Sequence, residues 1–112
     1  MEELSKSDKR VAREVISKGM HEEFRRGMES FYKLLETWRK TTNEDQLHYA
    51  ELYGAVKDFD KQIARRYDGL RNSMLLNVLS WQLRDGLIAE TDLDSLSAET
   101  KARVVSWANQ DF

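Results

Sequence analysis

Glu44, His48 and Glu51 recur at intervals of four and three residues. On a helix that spacing puts two carboxylates and an imidazole on one face. Such a trio is the raw material of a metal site or an acid–base pair, but the rest of either site is missing. A carboxylate-bridged di-metal bundle needs glutamates from several helices and Glu-x-x-His on two of them, and this chain contains no Glu-x-x-His. His21-Glu22-Glu23-Phe24-Arg25 begins like the zinc motif H-E-x-x-H and lacks the second histidine. His48 is therefore expected on the flank of an apolar stripe and His21 at the surface. No catalytic residue, metal site or cofactor is assigned.

Other chemistries fail on similar grounds. The chain has no cysteine, which removes thiolate ligands, thiol nucleophiles and disulfides. Its five glycines are dispersed, so no phosphate-cradling loop exists. Asp58-x-Asp60 resembles half of a paired acidic site, with no matching carboxylates on the preceding amphipathic segment. No serine is placed beside a histidine as a nucleophile needs.

The most site-like stretch is Arg65-Arg66-Tyr67-Asp68-Gly69-Leu70-Arg71. Arg65, Arg66 and Arg71 could receive an anionic ligand or a partner's acidic motif. The simpler reading is an internal knot, with these arginines paired to acids of the C-terminal third; cations at a helix C-terminus are also favoured by the helix dipole alone. The charge distribution argues against nucleic acid. Residues 1–40 sum to +2, 41–72 to −1 and 73–112 to −3, without the concentrated basic stripe of a dedicated binder.

The elements that would position these groups are all helical. Proline is absent, which suits long helices. Ser5 or Ser7 can cap a first helix over 7–18, on which Val11, Ala12, Val15 and Ile16 form one stripe. Met20, Phe24, Met28, Phe31, Leu35 and Trp38 form another, roughly 100° further round. Gly19 lies at the change and is read as a break before a second helix over 20–40, the alternative being one long bent helix. The polar side of 20–40 carries i,i+4 pairs such as Glu22–Arg26 and Glu29–Lys33, the mark of a solvated face.

Thr41, Thr42 and Asn43 form a link, and Asn43 or Thr42 can cap a helix over 44–67. There Tyr49, Leu52, Val56, Phe59, Ile63 and, just beyond, Leu70 approach heptad spacing, suited to near-parallel packing on the helix before it. Gly69 ends it. A helix over 73–84 is apolar almost all round and must be covered on every side. Thr91 and Asp94 suggest a short turn over 91–96. Ser97 caps a last helix over 98–109, with Ala102, Val105 and Trp107 expected inside.

The expected fold is a single all-α domain over 1–112: a helical bundle built on a long antiparallel hairpin, with shorter N- and C-terminal helices. The start shows no basic region followed by an apolar core, and the apolar run from Met74 to Leu83 is too short to cross a bilayer. A cytoplasmic protein without membrane attachment is expected. The short terminal helices offer little apolar surface to cover 73–84, so a second chain is expected to complete the coverage. Trp38, Leu75, Leu79, Trp81 and Trp107 are the anticipated partner or self-association surface. The functional expectation is a non-enzymatic protein-interaction or regulatory module, with a homodimer favoured over another protein partner. Binding of nucleic acid or an anionic ligand is the alternative.

Overall fold

A computed structural model describes residues 4–110 of the chain. Four α-helices carry it: α1 (Lys6–Arg39), α2 (Asp45–Tyr67), α3 (Leu75–Arg84) and α4 (Ala98–Ala108). Two 3₁₀ turns, Asn72–Met74 and Glu90–Leu93, precede α3 and α4. No strand occurs among the described residues. The expected all-α architecture with a long helical hairpin is present.

The residues form two compact units, one of 4–22 with 69–110 and the other Glu23–Asp68. The helix α1 contributes to both. It runs through Gly19 without interruption, so the break expected there is absent. Gly19 instead admits a neighbour. A Cβ at this position would lie 2.4 Å from Nε2 of Gln82, whose amide donates 2.9 Å to the Ile16 carbonyl. The change of stripe along α1 is thus a change of unit.

The first unit holds nearly all of the apolar core. Val11, Ala12, Val15 and Ile16 of α1 are buried, as are Leu75, Leu76, Val78 and Leu79 of α3. Val104 and Ala108 are the buried apolar residues of α4. The face of α4 therefore differs from expectation: Ala102 is exposed and Val105 and Trp107 are half-buried. The driver is the cap at its start. Ser97 Oγ accepts from the Thr100 amide at 3.4 Å, and Asp8 of α1 is drawn against both residues. Asp8 accepts from the Ser97 amide at 2.9 Å, the Ser97 hydroxyl at 2.7 Å and the Thr100 hydroxyl at 2.7 Å. That network rotates Thr100 and Val104 inward, because residues four apart share a face.

Other ends are tied in the same way. Ser5 Oγ accepts from the Asp8 amide at 3.0 Å and caps α1. Arg84 reaches the last carbonyls of α4, Trp107 at 2.9 Å and Ala108 at 3.2 Å. The turn at 90–93 is stapled by Asp92, not Asp94: Asp92 accepts from the Ala89 amide at 2.8 Å and from the Lys18 ammonium.

The second unit is the hairpin of α2 with the C-terminal half of α1. Glu44 precedes α2 without a side-chain cap, so neither Thr42 nor Asn43 has the expected role. Asn43 takes a positive φ of 66° in the link, which asparagine tolerates better than most residues. Gly69, at φ 71°, follows the end of α2 as expected.

Candidate functional site

The hairpin is closed by a small number of specific contacts. Phe59 sits edge-on to Phe24 and Phe31, with ring centroids 5.4 and 5.7 Å apart. Its ring lies where a side chain at Gly27 would be: a Cβ there would come within 2.6 Å of it. Glycine lets the phenyl ring approach the α1 backbone. Nearer the start of this unit, Glu23 accepts from Tyr67 Oη at 2.7 Å and from Gln62 Nε2 at 2.9 Å, and pairs with Arg66 Nε at 3.4 Å. At the opposite end, Trp38 Nε1 donates to Asp45 at 2.7 Å.

Helical geometry sorts the remaining side chains. α1 turns Glu23, Gly27, Leu34 and Trp38 toward α2, and α2 turns His48, Leu52, Ala55 and Phe59 toward α1. Phe24, Met28, Phe31 and Leu35 lie roughly 60–120° round from that seam on α1, and Tyr49, Tyr53 and Val56 a similar turn round on α2. The helices run antiparallel, so the same sense of rotation along each brings both sets to one side of the hairpin. The opposite side carries Arg26, Lys33 and Thr37 of α1 with Glu51, Asp58 and Arg65 of α2, Leu47 being its apolar exception. The two-helix layer is amphipathic as a whole.

Its apolar side is open. Met28 is 65% exposed, Tyr49 67% and Tyr53 55%, and Phe24, Leu35 and Val56 are also exposed. Within Glu23–Asp68 the buried residues are Glu23, Gly27 and Tyr67, and none of the three belongs to the apolar rows. A cavity of about 310 Å³ opens beside the Trp38–Asp45 pair, walled by Leu34, Leu35, His48, Tyr49 and Leu52. Nε2 of His48 is buried there without a hydrogen-bond partner, 3.6 Å from a Glu44 carboxylate oxygen. His48 thus lies at the edge of the apolar stripe of α2, as expected, but turned into the seam. No cluster of three metal-ligating side chains occurs among the described residues.

The residues anticipated from sequence are distributed differently from their grouping there. Leu75 and Leu79 are fully buried in the first unit and present no surface to a partner. Trp81 is exposed and Trp107 half-buried, under the Arg103 guanidinium at 5.5 Å; both belong to the first unit, whereas Trp38 belongs to the hairpin. Arg65 and Arg71 are exposed. Arg66 pairs with Glu23, the two side chains only 13% and 5% exposed, an acid supplied by α1. Sequence reasoning passed over Met28 and Val56 as surface residues by assigning both stripes to the seam, and did not single out Tyr53. The available signal was width: with Leu34 and Tyr53 added to the stripes, each apolar arc exceeds what one neighbouring helix can cover.

No helix among the described residues is long and apolar enough to cross a membrane. Comparison with protein-family models, with curated proteins and with solved structures gave no match to this chain.

Proposed function

We propose that the chain is a non-enzymatic protein-interaction or regulatory module of the cytoplasm, and that the apolar side of the hairpin is its binding surface. One observation carries this reading: a continuous row of exposed aromatic and aliphatic side chains on one side of a two-helix layer. Isolated exposed apolar residues are ordinary, but a contiguous patch of this kind marks an interaction surface. Tyrosines, two of which lie in this row, are also among the side chains that dominate interface energetics. The anionic-ligand alternative loses one of its three cations, since Arg66 is held by Glu23.

A photo-crosslinking residue in place of Tyr53, on the apolar side, tests this against the same residue in place of Lys33, on the polar side. In source cells, protein adducts are expected from position 53 and not from position 33. Equal labelling at both positions, or none at 53, overturns the reading.

A further inference from the structure

We infer that the occupant of this face is a second copy of the same chain, inverted so that the two hairpins close a four-helix bundle. The inference rests on reading the face as an interaction surface, and adds the partner's identity and orientation.

Area is the first argument. Taken at their fractional exposures, Phe24, Met28 and Leu35 with Tyr49, Tyr53 and Val56 leave roughly 600 Å² open per chain, most of the ~800 Å² per partner of a standard interface. An amphipathic two-helix layer is also half of a four-helix bundle, and two such layers bury both apolar sides at once.

Charge is the second. The apolar row of α1 contains no Lys, Arg, Asp or Glu, and that of α2 contains none before Asp60, which follows Val56 by one turn. Their rims carry both signs: Arg25, Glu29, Glu36 and Arg39 along α1, with Lys57 along α2. A copy related by twofold symmetry therefore meets no block of like charge.

Spacing is the third and gives the orientation. Along α1 the row Phe24, Met28, Phe31, Leu35 is followed by Trp38 at the edge of the seam, and the five are nearly palindromic about Phe31. Phe24 and Trp38 each lie seven residues from Phe31, ~10 Å along the axis. A twofold axis crossing the hairpin at Phe31 lays α1 antiparallel on α1 of the second copy. Phe24 and Met28 of each copy then come to the level of the other's open cavity beside Trp38. Projecting side chains at one end are matched by a hole at the other, which self-complementarity requires.

Sedimentation equilibrium of the full chain across the micromolar range is the test. The expected mass is twice the 13.2 kDa of one chain. Met28→Glu with Tyr49→Glu should give the single-chain mass with an unchanged helical circular dichroism spectrum, since both side chains are already more than half exposed. Lys33→Glu should remain dimeric. Because the chain has no cysteine, mixing Met28→Cys with Leu35→Cys reads the orientation: a disulfide between the two variants is expected. A monomer throughout overturns the inference, as does a dimer indifferent to the face charges or the absence of that disulfide. The broader reading fails separately: a monomer whose position 53 still crosslinks to another protein sinks self-association alone, whereas a monomer without adducts sinks both.

Discussion

At the residue scale, two buried carboxylates serve the two units. Asp8 feels burial most strongly, and burial alone would raise its pKa. The Thr100 hydroxyl and the Ser97 amide and hydroxyl together outweigh it and hold the carboxyl below the ordinary aspartate range. Asp92 is held low as well, first by the Ala89 amide and then by Lys18. The folded state thus binds these protons more weakly than the unfolded state. The resulting stability is present above the unfolded pKa, about 4, and is lost as pH falls through the lower folded value. Asp8→Asn should cost about 2–3 kcal/mol at neutral pH, the worth of hydrogen bonds to a charged group. It should also flatten the loss of stability below about pH 4; denaturant melts at a series of pH values measure both. Glu23→Gln removes the buried carboxylate that pairs with Arg66 and accepts from Tyr67 and Gln62. A loss of about 3 kcal/mol is expected, read from the melting of the hairpin.

At the element scale, both glycines inside α1 are places where another part of the chain meets the helix backbone. Alanine would favour the helix by about 1 kcal/mol at either position if nothing stood in the way. At Gly19 the added methyl displaces the Gln82 amide from a buried site, and a stranded buried amide costs about 1–3 kcal/mol. At Gly27 it meets a phenyl ring already fixed by Phe24 and Phe31, where overpacking costs about 1–3 kcal/mol. Both Gly→Ala variants should therefore destabilise, by about 1 kcal/mol net at either site. Helical content should stay unchanged in both, and the Gly27 variant alone should weaken dimerisation. Equilibrium unfolding and sedimentation of the two variants check this.

At the scale of the whole molecule, the apolar core is unevenly shared: the first unit buries its aliphatic side chains and the hairpin leaves most of its own open. Local stability follows buried apolar contact. Amides of 11–16 and 75–79 should therefore be the slowest to exchange with solvent, and those of 31–56 faster. If the hairpin is completed by a second copy, protection over 31–56 should rise with protein concentration while that over 75–79 stays constant. Hydrogen exchange at two concentrations separates these behaviours.

The helical class, the three later helices over 44–67, 73–84 and 98–109 and the cap at Ser97 were legible because they are local. Absence of proline, the 3.6-residue period and a serine before an apolar run act on neighbours in the chain. The place of His48 at the edge of the apolar stripe followed from the same period, whereas its burial in the seam did not. Gly19 was misread because its cause is Gln82, distant in sequence and invisible to any local pattern; the same holds for Gly27 with Phe59. The inward face of α4 was misread because Asp8, at the other end of the chain, sets it. Both heptad stripes were visible, but periodicity gives only the direction of an apolar arc and not what covers it. Coverage belongs to tertiary structure: it buried Leu75 and Leu79, which had been expected at a surface, and left Met28, Tyr49 and Tyr53 open. Local backbone preference and periodicity therefore determined the helices, and long-range packing of side chains decided which of their faces remain available to a partner.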